Sequence, residues 1–331
     1  MPERIVITGG GGVVGGAVAR VLVREGCDVV SLQRGTISDA LRSMGVSELR
    51  ADITGDVDDL TAAFRGADAV VHAAARVDIV GPWEEYERIN IAGTAAVVDA
   101  ARAAGVGRLV MVSSPSVAHA GRALVGAPAG AADPTAARGN YARSKAAAEL
   151  LALDANSDDM AVVVVRPHLV WGPGDSQLTE RIIERARSGR LVTIGSGAAL
   201  IDTTYIDNAG DAIAAAAHRA AVPSVRGRAF VVSNGEPRTV LEMLTRIARA
   251  GGAAGPSREV PYAVARAGGR VVEEWWERTG RAGEPPVTSF LAEQLATAHW
   301  FDQREVRTAL QWSPRVSIDE GFARLSAHYG G

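Results

Sequence analysis

The chain has 35 lysine and arginine residues, and only one of them, Lys145, is a lysine. Lys145 follows Tyr141 by four residues, so the two side chains share one face if the segment RSKAAAELLAL is helical. A lysine ammonium group is compact and can lie close to a phenol or a ribose hydroxyl, whereas a guanidinium group is planar. A free tyrosine has a pKa of about 10, and a neighbouring ammonium group lowers that pKa. The pair therefore predicts acid–base chemistry, and a solvated surface lysine is the alternative.

A glycine-rich loop near the N-terminus is a candidate phosphate-binding site. Gly9, Gly12 and Gly15 have the spacing G-x-x-G-x-x-G, one residue wider at its start than the dinucleotide fingerprint. An apolar strand, RIVIT, precedes the loop, and an amphipathic helix follows it. In this context the glycines permit a tight turn, close approach of a pyrophosphate and close packing of the helix on the strand. The alternative is an ordinary glycine-rich turn, because 37 glycines make accidental matches easy.

Three further apolar runs alternate with alanine-rich helical segments. They are DAVVHAAA (68–75), GRLVMVSS (107–114) and MAVVVVRP (160–167). This alternation predicts an α/β fold with a Rossmann-type, doubly wound parallel sheet covered on both faces. Ligands of such sheets bind beyond the carboxyl ends of the strands. That edge would collect Gly9 to Gly15, Gln33, Arg34, Asp52, Ile53, Ala73 to Ala75, Ser113 to Ser116, and Pro167 to Leu169.

The end of the second strand indicates which dinucleotide is bound. An acidic residue there would hydrogen-bond the ribose hydroxyls of NAD, and a cation would contact the additional phosphate of NADP. The strand ends in SLQRG, with neutral Gln33 followed by positive Arg34. This favours NADP(H) over NAD(H), and a plain surface charge is the alternative for Arg34.

The length of 331 residues and the hydrophobic content of 47% predict a well-packed globular chain of about two domains. We expect a dinucleotide-binding Rossmann domain over residues 1–174. Residues 175–331 would form mainly a smaller substrate-binding domain, with segments that return to the Rossmann sheet.

Composition argues against several partners and sites. The net charge of −3 and the dispersed arginines provide no basic surface for nucleic acid. The six histidines lack the spacing of metal ligands, so no metal site is expected, and His72 and His168 are interpreted as packed, hydrogen-bonded side chains. A single cysteine, an apolar strand that begins by residue 5, and no apolar run of about 18 residues predict a cytoplasmic protein without a membrane span.

The second half reads mainly as helices, among them QLTERIIERARSG and VLEMLTRIARAGG. One segment, AGGRVVEEWWERTG, places Val271, Val272, Trp275 and Trp276 on an apolar helix stripe. We interpret this stripe as packed core. The alternative is a lid or a tunnel wall for an oily substrate.

Several motifs occur in a fixed order along the chain: T-G-x-x-G-x-x-G, Asp52-Ile53, HAAA, Asn90, SSPSV, YARSK and RPHLVWGPGD. With them the chain resembles the extended short-chain dehydrogenase/reductases over essentially its whole length. The segments SSPSV, RPHLVWGPGD, IDTTYIDN and SNGEP are similar to the 3β-hydroxysteroid dehydrogenase-like branch. Within it, RPHLVWGPGD, GEPPVTSFLAEQLATAHWFD and LQWSPRVSIDEGFARL resemble the bacterial 2-alkyl-3-oxoalkanoate reductases of long-chain olefin biosynthesis.

The resemblance implies roles for individual residues. Tyr141 would donate or accept the proton, Lys145 would assist it and hold the nicotinamide ribose, and Ser114 would orient the substrate carbonyl. Ser113 and Ser116 are the alternatives for that serine. Asn90 would lie behind the catalytic helix, and Asp52 with Ile53 beside the adenine. The expected cofactor contacts are Gly9, Gly12, Val13, Val14, Gly15, Arg34, Asp52, Ile53, Ala73, Ala74, Ala75, Asn90, Tyr141, Lys145, Pro167, His168 and Leu169.

The function that the resemblance implies is NADP(H)-dependent reduction of the 3-oxo group of a long-chain apolar molecule, such as a 2-alkyl-3-oxoalkanoate. The alternatives are a 3β-hydroxysteroid or sterol dehydrogenase, a sugar-nucleotide epimerase or dehydratase, and a non-catalytic dinucleotide sensor. The longest steroid dehydrogenases of the branch carry a membrane-spanning segment, which this sequence lacks. A homodimer and an association with other enzymes of the same pathway are the protein partners to consider.

Overall fold

The fold is known from a computed structural model that describes residues 2–78, 81–118, 121, 123–279 and 288–330. Strands and helices are numbered in chain order. The strands are β1 (Arg4–Thr8), β2 (Asp28–Gln33), β3 (Ser47–Arg50), β4 (Ala69–His72), β5 (Arg108–Val112), β6 (Leu124–Ala127), β7 (Ala161–Pro167), β8 (Val170–Trp171), β9 (Val192–Ile194), β10 (Leu200–Ile201), β11 (Thr204–Tyr205), β12 (Arg228–Val232), β13 (Arg238–Thr239), β14 (Arg258–Val260) and β15 (His299–Phe301).

The α-helices are α1 (Val13–Arg24), α2 (Asp39–Ser43), α3 (Val57–Phe64), α4 (Trp83–Tyr86), α5 (Gly93–Ala103), α6 (Gly139–Asp154), α7 (Thr179–Arg187), α8 (Ile206–Arg219), α9 (Val240–Ala250), α10 (Tyr262–Thr279), α11 (Ser289–Ala296), α12 (Arg304–Leu310) and α13 (Ile318–Tyr329). A π-helical segment, Glu87–Ala92, joins α4 to α5, and a 3₁₀ turn, Pro115–Ala118, follows β5.

Seven parallel strands form the main sheet, in the order β12-β7-β5-β4-β1-β2-β3. The chain moves from β1 outward to β2 and β3, then crosses to the other side of β1 for β4 and the strands beyond it. The predicted Rossmann-type sheet is therefore confirmed. The strand order reverses between β1 and β4, and open α/β sheets bind ligands at this position.

Apolar strands explain why helices cover both faces of this sheet. All seven residues of β7 are buried, as are all four of β4, so neither face of these strands can contact water. One core packs under α1 and α8, and a second packs under α3, α5 and α6. Helices α1 and α8 approach each other at Gly210, where a Cβ atom would lie 2.9 Å from the backbone of Ala17.

The second half of the chain contributes to both the main sheet and a separate layer. Strand β12 pairs with β7 and forms the edge of the seven-stranded sheet. A smaller sheet has the order β13-β10-β15-β6, so a strand from the first half, β6, joins strands from the second. The division at residue 174 stays a prediction. Within the described residues, no helix is both long and apolar enough to cross a membrane.

The predicted apolar stripe lies on α10, but the packed-core interpretation is wrong for two of its four residues. Val271 is 67% exposed and Trp275 is 45% exposed, while Val272 and Trp276 are half-buried. The two tryptophan rings contact each other edge to face, with centroids 5.5 Å apart. The helical periodicity predicts the stripe correctly, but periodicity alone does not show what covers it. The neighbouring residues 283–287, which begin the GEPPVTSF motif, lie outside the described residues.

Candidate active site

The predicted Tyr141–Lys145 pair lies on α6, which crosses the carboxyl edge of the sheet. Lys145 is 3% exposed, and its Nζ donates a hydrogen bond of 2.7 Å to the carbonyl oxygen of Val112, the last residue of β5. Among the described residues this is the one hydrogen bond of the Lys145 ammonium group, which can donate three. The alternative of a solvated surface lysine is therefore wrong.

The serines after β5 differ in their surroundings. The Ser114 hydroxyl acts on the Tyr141 phenol and favours its charged form. Its oxygen also accepts hydrogen bonds from Ser116 Oγ at 3.0 Å and from the Ser116 backbone N–H at 3.3 Å. Ser113 is buried, and its Oγ has no hydrogen-bond partner among the described residues. Of the three candidates, Ser114 is therefore the serine that this geometry joins to Tyr141.

The electrostatics of the pair differ from the expectation. Removal from water raises the pKa of Tyr141 to about 12, although the Ser114 hydroxyl acts in the opposite direction. Burial lowers the pKa of Lys145 to about 8, and the Glu149 carboxylate partly offsets this change. The expected lowering of the Tyr141 pKa is thus wrong for this structure, because loss of hydration is the largest influence on this pKa and outweighs the effect of Ser114. At neutral pH the phenol is protonated and the amine is mainly charged.

Asn90 connects the carboxyl end of β4 to the catalytic helix. It lies in the π-helical segment and is 2% exposed. Its Oδ1 accepts a hydrogen bond of 2.7 Å from the Arg76 N–H, and its Nδ2 donates to the Arg76 carbonyl at 3.1 Å and to Ser144 Oγ at 3.0 Å. Asn90 therefore lies behind α6, as the resemblance implied, and fixes the loop after β4 against that helix.

His72 is a buried, hydrogen-bonded side chain, as interpreted from the sequence. Its Nδ1 lies 2.8 Å from Thr8 Oγ1, and its Nε2 lies 3.0 Å from Thr94 Oγ1. Burial, with a smaller contribution from the positive Lys145, lowers the pKa of His72 to about 3. The imidazole is therefore neutral, and its hydrogen bond with Thr8 links β4 to β1.

At each glycine of the N-terminal loop, an added Cβ atom would meet different neighbours. Gly9 has a φ of +73°, and a Cβ there would lie 2.8 Å from the Ala74 nitrogen. A Cβ at Gly15 would lie 2.3 Å from the Gly9 oxygen, because α1 packs on the loop. Gly12 is different, since among the described residues only the Gly9 oxygen, at 3.3 Å, would lie near a Cβ at this position. Gly10, which the spacing does not include, must also be small, because a Cβ there would lie 2.2 Å from Ser31 Oγ.

Gln33 and Arg34, the two residues considered for cofactor choice, differ in their hydrogen bonds. Gln33 Oε1 accepts hydrogen bonds from Ser31 Oγ at 2.5 Å and from the Gly11 N–H at 3.2 Å, so this side chain supports the glycine loop. No hydrogen bond is formed by the Arg34 guanidinium among the described residues. Burial of Asp52 would raise its pKa, but hydrogen bonds from Thr54 and the charge of Arg34 lower it.

The remaining predicted contacts lie at the same edge. Val13 and Val14 are the first residues of α1, and Ile53 is buried against Gly93. Ala73 and Ala74 bond through their N–H groups to the Thr8 carbonyl and hydroxyl, and Ala75 follows them. Pro167 ends β7, and Leu169 has a φ of +44°. The His168 ring packs edge-on against Phe301 and hydrogen-bonds through Nδ1 to the Asp202 carbonyl at 2.5 Å.

Residues 6–261 of this chain match the 3-beta hydroxysteroid dehydrogenase/isomerase family. The chain belongs to this family. It is 40% identical to a 2-alkyl-3-oxoalkanoate reductase of Stenotrophomonas maltophilia, with 98% of both chains covered. It is 36% identical to a 2-alkyl-3-oxoalkanoate reductase of Shewanella oneidensis, over 97% of this chain and 85% of the relative. Among solved structures, a UDP-glucose 4-epimerase of Thermus thermophilus in complex with NAD superposes with a TM-score of 0.72 at 24% identity, covering 99% of both chains, which shows the shared fold.

As a member of the 3-beta hydroxysteroid dehydrogenase/isomerase family, the protein is an NAD(P)-dependent oxidoreductase. The loop and α1 fit a nicotinamide dinucleotide. No side chain caps the N-terminus of α1, and its first turn contains no acidic residue, so its backbone N–H groups can bind a pyrophosphate. The open surface at Gly12 allows the close approach that such a group needs.

Two features of this family member were missed at the sequence level. The Glu149 and Arg166 side chains form a fully buried ion pair next to the catalytic helix. The signal that was available is the spacing of Tyr141, Lys145 and Glu149 on one helix face. The π-helical turn that orients Asn90 left no recognisable signal in the sequence.

Proposed function

We propose that the protein is an NADPH-dependent reductase of the 3-oxo group of a large apolar substrate. The substrate class that we propose is a 2-alkyl-3-oxoalkanoate, reduced to the 2-alkyl-3-hydroxyalkanoate in long-chain olefin biosynthesis. The observation that carries the proposal is the buried Lys145 on the same helix as a protonated Tyr141 phenol, next to Ser114, in a chain whose near full-length relatives are named as such reductases.

In the proposed reaction the bound nicotinamide supplies the hydride to the carbonyl carbon. Ser114 donates a hydrogen bond to the carbonyl oxygen and stabilises the charge that builds there. Tyr141 transfers its proton to the same oxygen, which yields the secondary alcohol. Lys145 holds the nicotinamide ribose and stabilises the phenolate that Tyr141 becomes.

The protonation state of the site is compatible with reduction. The Tyr141 phenol is protonated at neutral pH and can transfer its proton to the carbonyl oxygen. The choice of NADPH is supported by Arg34, which follows the end of β2, and by the neutral Gln33, which is engaged with the glycine loop. The apolar substrate is supported by the names of the relatives, and we propose that Trp275 and Trp276 contact its alkyl chain.

A second candidate is a 3β-hydroxysteroid dehydrogenase, which the description of the matching family favours. The same residues would act on a sterol 3-hydroxyl or 3-oxo group. The two candidates differ in the shape of the apolar part, since a steroid is a rigid ring system and a 2-alkyl-3-oxoalkanoate carries flexible chains.

Cofactor oxidation should be measured with a series of 2-alkyl-3-oxo acids of increasing chain length, with sterols and with UDP-sugars. Each methylene buried contributes up to about 0.8 kcal/mol, so kcat/KM should rise by orders of magnitude over several carbons. The same series in Trp275→Ala and Trp276→Ala should show a shallower slope. Turnover confined to sterols or UDP-sugars would refute the proposed substrate, and cofactor binding without any turnover would indicate a sensor.

A further inference from the structure

A fully buried ion pair lies one helical turn beyond Lys145. Glu149 follows Lys145 by four residues on α6, and Arg166 lies on β7. The side chains are 0% and 1% exposed, respectively. Arg166 Nε donates to Glu149 Oε2 at 3.0 Å, and Arg166 Nη2 donates to Glu149 Oε1, so both carboxylate oxygens are occupied. A bidentate pair of this kind is geometrically specific.

Arg166 also holds a segment that belongs to another layer. Its Nη1 donates to the carbonyl oxygens of Ala129 at 2.6 Å and Gly130 at 3.1 Å. These residues follow β6, which pairs with β15 in the smaller sheet, and they precede the segment that leads into α6. The Arg166 guanidinium group thus links β7 of the main sheet to α6 and to the segment that follows β6 of the smaller sheet.

The ionisable groups around Lys145 are few. Tyr141 and Glu149 lie on its own helix, the neutral His72 lies on β4 and is itself influenced by the Lys145 charge, and Arg166 reaches this region from β7 through Glu149. Glu149 is the acidic group that favours the charged form of Lys145. The Lys145 ammonium hydrogen-bonds to the Val112 carbonyl and not to Glu149, and Arg166 binds both oxygens of the Glu149 carboxylate.

We propose that Glu149 and Arg166 are a positioning pair for Lys145: Glu149 places a negative charge one helical turn from the ammonium group, and Arg166 binds both oxygens of that carboxylate, which prevents Glu149 from binding the ammonium group and pulling it away from the site. This inference rests on the proposed role of Lys145 in the reaction. The two residues then act on Lys145 in opposite senses, although they form a single ion pair. If the pair served only to hold α6 on the sheet, Glu149 and Arg166 would not have opposite effects on Lys145.

The single lysine makes a direct measurement possible. Protein grown with ¹³C-labelled lysine gives one ε-methylene NMR signal, from Lys145, and its pH titration reports the pKa of that amine without any turnover. The variants are Glu149→Gln and Arg166→Gln, each a neutral replacement. Asp154→Asn is the matched control, because Asp154 is an exposed acid on the same helix.

Glu149→Gln should lower the pKa of Lys145 by about one unit, and Arg166→Gln should raise it, since an unpaired Glu149 then acts on the amine alone. Asp154→Asn should leave the titration unchanged. An unchanged pKa in Glu149→Gln, or shifts of the same sign in the two variants, would overturn the proposal. If Arg166→Gln does not fold, the double variant decides, because the proposal places its Lys145 pKa between those of Glu149→Gln and the natural protein, and a value outside that interval overturns it.

NADPH binding and kcat/KM should decline at high pH. In each variant the pH of that decline should shift by the same amount as the Lys145 pKa measured by NMR. If no oxo acid is turned over, the NMR titration and NADPH binding still test the pair, so failure of the proposed substrate is distinguishable from failure of this inference.

Discussion

Two polar clusters of this protein differ in their burial and in how completely their hydrogen bonds are satisfied. The Tyr141 cluster consists of Ser114, Tyr141 and Lys145. The Asn208 cluster consists of Asp202, Thr204, Asn208, Ser233 and Asn234, from the motifs IDTTYIDN and SNGEP. All five residues of the second cluster are at most 1% exposed, whereas in the first cluster Lys145 is buried and Ser114 and Tyr141 are half-buried.

The Asn208 cluster uses its hydrogen-bonding capacity within the chain. Asn208 Nδ2 donates to Asn234 Oδ1 at 3.0 Å and to the Val316 carbonyl at 2.7 Å, and its Oδ1 accepts from the N–H groups of Arg315 at 2.9 Å and Val316 at 3.1 Å. In the Tyr141 cluster, Lys145 has one such bond among the described residues. Partial exposure and remaining hydrogen-bonding capacity therefore distinguish the candidate active site from the structural cluster.

The largest effect that this comparison predicts is at Tyr141. Tyr141→Phe removes the proton donor and leaves the ring in place, so kcat should fall by about 10²- to 10⁴-fold. The thermal midpoint and the Kd for NADPH should change little. Single-turnover kinetics with a responsive oxo acid would measure the loss, and a variant that kept more than about a tenth of the rate would remove Tyr141 from its proposed role.

The opposite result is expected at Asn208. Asn208→Ala leaves several buried backbone and side-chain groups without partners, so the free energy of unfolding should fall by about 3 kcal/mol. The kcat of the folded fraction should stay within about twofold, because no reacting atom is touched. Urea unfolding and kcat measured below the unfolding transition would test both statements. A large loss of kcat without a loss of stability would show that the two clusters are not separate in function.

A smaller effect is expected at Arg34. Its guanidinium group, like most of the capacity of Lys145, is not used in hydrogen bonds among the described residues. Arg34→Ala should raise the KM for NADPH about tenfold and leave the KM for NADH nearly unchanged, since only NADPH offers a 2′-phosphate for a charge-assisted hydrogen bond. Gln33→Ala is a useful contrast, because loss of its support for the glycine loop should weaken both cofactors alike. Equal losses for both cofactors in Arg34→Ala would count against NADPH preference.

The smallest predicted effect is a pH dependence of stability at Asp202. Burial raises the pKa of Asp202 to about 6, although hydrogen bonds from Ser233 and from backbone N–H groups oppose the change. The folded state therefore binds a proton before the unfolded state does as the pH falls. Between pH 7 and pH 5 the natural protein should gain about 1 kcal/mol relative to Asp202→Asn, since the asparagine does not titrate. Parallel pH profiles of the two proteins would show instead that the hydrogen bonds to Asp202 fully offset the effect of its burial.

The sheet and the glycine-rich loop between β1 and α1 could be predicted because their signals are local. Apolar runs alternating with helices define a parallel sheet, and Gly9, Gly12 and Gly15 lie within seven consecutive positions. A return of the second half to this sheet was expected, but β12 was not identified as the returning strand, because its place beside β7 depends on pairing between distant segments.

Within the site, the sequence indicated which residue types lie at the carboxyl edge but not their energetics. The high pKa of Tyr141 follows from its loss of hydration, which only the packed structure reveals. Likewise, Glu149 and Arg166 are 17 positions apart, and nothing in the sequence shows that their charges meet. For the stripe on α10 the sequence showed the apolar pattern, but it did not show that Val271 and Trp275 are exposed.

The contact between Gly210 and Ala17 bears on any attempt to excise the nucleotide-binding half of this protein. Helix α1, which begins at the glycine-rich loop, rests on α8, and α8 comes from the second half of the chain. A fragment ending at residue 174 would expose the buried face of α1 to water and would also lack the edge strand β12. The cofactor platform is thus a composite of both halves, and a minimal nicotinamide-binding fragment would need to retain residues 206–232.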